Sequence, residues 1–135
     1  MTDRDLIEKK LARIVTHVEE LRRLAHPEAI RSDIREERFV EHTLQLAIQA
    51  TLDVASHVVS DQRLGEPRAN RELFELLARG GWIDEALAGV LVQVAGFRNV
   101  LVHGYEDVDL AIVEDVLRNH LHDLLAFVAA IQRRL

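Results

Sequence analysis

Residues Leu44–Val59 read LQLAIQATLDVASHVV. Apolar residues in this stretch occupy more than one face of a 3.6-residue repeat. A helix apolar on several sides is a buried one, so this segment predicts the central, most buried helix of a helical protein. The helix is expected to begin at Ser32-Asp33, two residues whose side chains cap helix starts, and to run to about Asp61. Gly65 and Pro67 then end it.

The rest of the chain repeats the pattern. Leu6, Ile7, Leu11, Ile14, Val18, Leu21 and Leu24 recur at steps of three and four, giving one amphipathic helix with Thr2 as its cap. Pro27 breaks that helix and starts a short turn. Asn70 caps a short helix through Leu73, Leu76 and Leu77, which stops at Gly80-Gly81. A fourth long helix begins near Asp84 and reaches His103, with Gly104 placed as a left-handed terminator. Asp109 caps a last helix from Leu110 to about Gln132, with Arg133 and Arg134 at its negative dipole end. Strand-like alternation is nearly absent. The expected fold is all-α: an antiparallel bundle of four main helices plus an additional short one, in a single domain over residues 1–135.

Composition narrows the function. The chain has no cysteine, which excludes thiolate zinc sites, thiol nucleophiles and disulfides. No apolar run approaches the roughly 18 residues of a membrane span, and the start MTDRDLIEKK lacks the apolar core of a signal peptide. No membrane partner is expected, and the cytoplasm is the default location. The formal net charge is −6. Proteins that hold nucleic acid by bulk electrostatics are usually basic, so any RNA contact must use a small local cationic site or a partner.

The chemistry-bearing stretch is FRNVLVHGY, Phe97–Tyr105. It places an Arg, an Asn, a His and a Tyr at the end of an apolar helix. On an ideal helix Ile83, Leu87, Val90, Val94, Phe97 and Leu101 form a core stripe, with Arg98 at its edge. His103 lies about 140° from Arg98, and Asn99 shares the His103 face. The two principal groups are therefore not on one face. Either the last turn unwinds at Gly104, or another surface completes the site. Alone, such a pattern also fits surface charge, with Arg98 paired to an acid and His103 near helix carbonyls.

Arg98-x4-His103-x-Tyr105 resembles the active-site signature of HepT-like toxins of the HEPN superfamily. The likeness extends over Phe39–Pro67, over the segment around Leu76–Leu91, and in all over roughly Arg4–Phe127. The resemblance implies the HEPN helical fold and a metal-independent endoribonuclease toxin of a type VII-like toxin–antitoxin pair, with a composite cleft at a symmetric homodimer interface. Cleavage through the RNA's own 2′-OH needs a base and an acid, and leaves a 2′,3′-cyclic phosphate. Histidine suits both roles. One motif histidine per chain becomes two in a dimer. Arg98 would hold the scissile phosphate, and Asn99 would orient His103 or the phosphate. The resemblance also makes Tyr105 the acceptor of AMP from a cognate minimal nucleotidyltransferase antitoxin. This chain lacks the Gly-Ser and paired carboxylates of such an enzyme, so it is the substrate or partner. The competing expectation is a non-catalytic helical module that binds a nucleotide or the nucleotidyltransferase. No cofactor is expected.

Asp53 and His57 stand four apart on the central helix. They are read as a supporting pair, or Asp53 as the carboxylate that receives Arg98. His17, His26, His42, His120 and His122 form no metal set. His120 and His122 would project roughly 200° apart on one helix.

Overall fold

The computed structural model describes residues 3–103 and 108–135, and side chains through Leu101 and again from Val108. Six α-helices make up the described fold: α1 (Arg4–Leu24), α2 (Ile34–Asp61), α3 (Asn70–Arg79), α4 (Glu85–His103), α5 (Leu110–Asn119) and α6 (Leu121–Arg134). A single 3-10 turn, Pro27–Ala29, joins α1 to α2, with Pro27 starting it as the sequence predicts. No strand occurs among the described residues.

Helix α2 is the centre. It packs against each of the other five helices, and Leu44, Ala47, Val54, Ala55 and Val58 on it are fully buried. Against it lie Ile7, Leu11, Ile14 and Val18 of α1 and Leu124, Phe127 and Ile131 of α6, all sealed from water. Phe74 of α3 meets Phe127 edge to face, ring centres 6.1 Å apart at 84°. Burying side chains of this size contributes roughly 1.5–3 kcal/mol each, and their periodic placement fixes which helix faces meet.

Helix ends differ from expectation in two places. Asp3, not Thr2, occupies the α1 cap: its carboxylate accepts from the Leu6 N–H at 3.1 Å. Both residues are cap formers, and the longer-range pattern cannot choose between neighbours. Asn70 is the first helical residue of α3 and does not cap it. Ala69 holds that position, and the Glu72 carboxylate accepts from the Arg68 N–H. Helix α2 ends before Gly65, in a turn where Arg63 N–H donates to Ser60 O at 3.2 Å and Leu64 N–H to Val59 O at 3.0 Å. That closure puts Arg63 at φ 53°, a left-handed conformation normally given to glycine. Helix α3 closes in the same way, with Gly81 at φ 76° as the sequence predicts.

The single last helix is in fact two. The chain bends at His120, with φ −124° and ψ 1°. Its Nδ1 lies 3.0 Å from Asp123 Oδ2 and its Nε2 3.3 Å from Asp115 Oδ2. Asn119 also donates to Asp115, at 2.8 Å. Asn119 first, and His120 after it, hold the Asp115 carboxyl below its ordinary 3.8. The break lets α5 pack against α2 and the 3-10 turn while α6 packs along α1 and α4. It also removes the geometric ground for separating His120 from His122, which contacts Asp123 at 3.3 Å.

Candidate functional site

The motif sits on the second half of α4, capped at its start by Asp84, whose carboxylate accepts from the Leu87 N–H at 2.7 Å. Almost every position on this helix is apolar or small, so periodicity gives its direction poorly. The buried side is set by Ala88, Leu91, Val94, Ala95 and Phe97. Leu87, Val90 and Leu101 of the expected stripe are only partly buried. The core direction is thus rotated from the expected one, toward Leu91.

This rotation changes the reading of Arg98. It follows Leu91, Val94 and Ala95 by seven, four and three residues, and these are 1%, 4% and 5% exposed. Arg98 therefore projects from the middle of the buried side, not its edge. The side chain is half-buried, and its Nε is shut from solvent with no hydrogen-bond partner among the described residues. A buried N–H left open costs roughly 1–3 kcal/mol. Native proteins rarely keep one without a reason. A guanidinium with a free buried donor at the end of a core is poised for an anion, and a phosphate oxygen is the natural acceptor.

Position 103 ends α4. By helical register it stands about 140° from Arg98, on the outer side shared with Asn99 and Gly96. The side chain of His103, and Gly104 and Tyr105 entirely, lie outside the described residues. Asn99 is exposed and borders a groove of about 540 Å³ between α3 and α4.

Asp53 is occupied elsewhere. Lys10 Nζ stands 3.3 Å from Oδ2, and Gln49 Nε2 donates to Oδ1 at 2.9 Å. The described contacts of Asp53 include neither Arg98 nor His57. The carboxylate ties α1 to α2 across a half-buried surface. Lys10 stands 43 residues away in sequence, so local spacing could not reveal the pairing.

Two features escaped the sequence reading. The first is Glu41 on α2. Its carboxyl is pushed up from 4.5 to about 7, first by burial, then by the hydrogen bond to Glu37 and that residue's charge, with Arg38 opposing. The four-residue spacing of Glu37 and Glu41 was the available signal. The second is Arg134, whose Nη1 donates to Gly80 O at 2.7 Å while its guanidinium lies 4.6 Å over the Trp82 ring. Among the described residues no His, Asp and Glu cluster is arranged to hold a metal ion, and no helix is long and apolar enough to cross a membrane.

Comparison with known proteins identifies the family and the fold. Residues 11–131 match the family described as ribonuclease HepT-like. The mRNA nuclease HepT of Shewanella oneidensis is 37% identical over 89 residues, covering 66% of this chain and 67% of that protein. The tRNA nuclease HepT of Aphanizomenon flos-aquae is 33% identical over 78 residues, covering 58% of this chain and 53% of that protein, about half its length. A solved structure of a tri-AMPylated Shewanella oneidensis HEPN toxin in complex with MNT antitoxin superposes with a TM-score of 0.88. It is 30% identical, over 98% of this chain and 99% of that one. The all-helical fold, the placement of the motif on α4 and the match over residues 11–131 together establish that the chain belongs to the ribonuclease HepT-like family, of HEPN fold.

Proposed function

We propose that this protein is an endoribonuclease toxin that cuts RNA without a metal, at a cleft formed between two copies of the chain. The observation that carries the reading is the open Nε of Arg98, a buried cationic donor with no hydrogen-bond partner among the described residues. Arg98 binds a non-bridging oxygen of the scissile phosphate and stabilises the charge that builds there. His103 takes the proton of the 2′-OH, and the 2′-oxygen attacks phosphorus. The bond from phosphorus to the 5′-oxygen breaks, and a second imidazole protonates the departing oxygen. The product is a 2′,3′-cyclic phosphate.

A second copy supplies that second imidazole. Arg98 on the core side and position 103 on the outer side cannot converge within one straight helix. A twofold axis near the end of α4 brings one chain's arginine toward the other's histidine. The net charge of −6 confines RNA affinity to this local site. It also favours the second reading, a non-catalytic module that binds a nucleotide or a partner.

Control follows from the same site. A partner nucleotidyltransferase transfers AMP to the Tyr105 hydroxyl, and the tethered phosphate and base fill the cleft in place of RNA. The test uses purified protein in chelator with two matched RNAs, one carrying a 2′-deoxy nucleotide at the cut. Cleavage of the first alone, with a cyclic phosphate end, supports the mechanism. Equal cutting of both, or loss of cutting in chelator, overturns it. Failure to cut either, with nucleotide binding intact, establishes the non-catalytic reading.

A further inference from the structure

Helix α4 carries an exposed glycine at position 96, inside the helix and two residues before the motif arginine. Glycine inside a helix costs about 1 kcal/mol relative to alanine. Usually the fold requires the missing side chain. Here it does not: a Cβ at position 96 would meet nothing within 4 Å among the described residues. No described residue of the chain uses the space above Gly96.

That space is the floor of the 540 Å³ groove between the first turn of α3 and the second half of α4. Its size falls in the roughly 300–1,000 Å³ range of small-molecule sites. Asn70 and Arg71 line it from α3, Gln93 and Asn99 from α4, and Ile112 from α5. The amides of Asn70, Gln93 and Asn99 have no hydrogen-bond partner among the described residues. Each offers both a donor and an acceptor, the combination that a base edge presents in return. Ile112, 44% exposed, gives an apolar wall for a base face. Arg71 supplies a planar cation for a phosphate. A second copy of the chain is a poorer occupant, because interface cores are depleted of charge and this groove gathers an arginine and three amides.

We propose that this groove is a nucleotide subsite, in which Asn70, Gln93 and Asn99 bond the edge of one base of the RNA and Arg71 holds its phosphate. The inference rests on the ribonuclease reading for the identity of the ligand, and its geometry explains how that reading gains orientation. Metal-free transesterification needs the 2′-oxygen in line with the departing oxygen, and anchoring a neighbouring base supplies that alignment. Asn99, on the outer side of α4 four residues before position 103, links the subsite to the motif.

The experiment is an amide shift map of the ¹⁵N-labelled protein with each of the four 3′-mononucleotides, on wild type, Gly96→Leu and Gly89→Leu. Gly89 also faces open space but does not line this groove. The expected result is movement of the Asn70, Gln93 and Asn99 side-chain amides with at least one base. That movement is lost in Gly96→Leu and kept in Gly89→Leu, with both variants folded. Shifts absent in wild type, or unchanged in Gly96→Leu, overturn the subsite. So does a Gly96→Leu protein that changes from dimer to monomer in sedimentation, since a second copy then fills the groove. The readout needs no RNA cleavage, so an inactive protein that still gives the expected shift pattern removes the ribonuclease reading and leaves the subsite standing.

Discussion

Arg134, one residue from the C-terminal end of the sequence, donates to the carbonyl of Gly80, 54 positions earlier, at 2.7 Å. Its guanidinium stacks 4.6 Å over Trp82 in the same turn. The last helix is thereby fastened to the hairpin that launches α4, and the direction of α4 sets where the motif points. Arg134→Ala should lose about 1 kcal/mol, from one exposed hydrogen bond and one cation–π contact, lowering Tm by roughly 4 °C. Arg134→Lys should recover only part, because an ammonium cannot both stack and donate in that geometry. Thermal melts of the three proteins check this.

Glu41 makes stability depend on pH. Its folded-state carboxyl titrates at about 7 against 4.5 in the unfolded chain. Between those values the folded protein holds the extra proton, so stability falls as pH rises from about 5 to 8. The group is only partly buried, so the change is on the order of 1 kcal/mol after solvent screening. Glu41→Gln should flatten this part of the profile and be the more stable protein at pH 8. Urea midpoints at pH 5 and pH 8 decide it. A wild-type midpoint that does not fall over this range contradicts the assignment.

Arg63 adopts a left-handed conformation at φ 53° after α2. Glycine takes that conformation without the side-chain penalty, though it also gains freedom in the unfolded chain. Arg63→Gly should therefore stabilise the fold by about 0.5–1 kcal/mol, as expected where a helix ends in a left-handed residue. Chemical denaturation with an unchanged m-value would show it.

How much of this was legible in the sequence differs from element to element. The central place of α2 followed from Leu44–Val59 alone, because a helix apolar on several sides has nowhere to go but inside. Caps at Asp33, Asp84 and Asp109 were readable because a short acidic side chain acts on its own neighbours. Helix α4 was different. With nearly all its positions apolar or small, the pattern fixes the helix but not its rotation, and Arg98 was placed at the edge of the buried side instead of its middle. The break at His120 depends on two carboxylates gripping one ring, which helix propensity does not register. Asp53 was read through its neighbour His57, while its true partner Lys10 stands on another helix. The motif residues themselves were plain in sequence. His103 and Tyr105 carry the chemical expectation beyond the described side chains.

Tyr105 carries the expectation on control. Co-expressed with a minimal nucleotidyltransferase of the kind found with HEPN toxins, the protein should gain one or more AMP units in intact-mass measurement, and the modified form should not cut RNA. Tyr105→Phe should keep its unmodified mass and stay toxic with the partner present. An unshifted wild-type mass, or a shift that persists in Tyr105→Phe, leaves neutralisation to complex formation alone.

The central claim is that Arg98 and His103 cut RNA together. The most direct measurement is the single-turnover cleavage rate in chelator for wild type, Arg98→Ala and His103→Ala, each first shown to be folded by circular dichroism. Losing an imidazole that moves the proton, or a cation that stabilises the phosphate charge, should reduce the rate by roughly 10²–10⁴-fold. Arg98→Ala should fold well, because it removes a buried donor that has no partner among the described residues. Mixing the two variants should not restore the rate, because a mixed pair holds a single His103 and so lacks either the base or the acid. A folded His103→Ala protein that cuts at the wild-type rate would contradict the account.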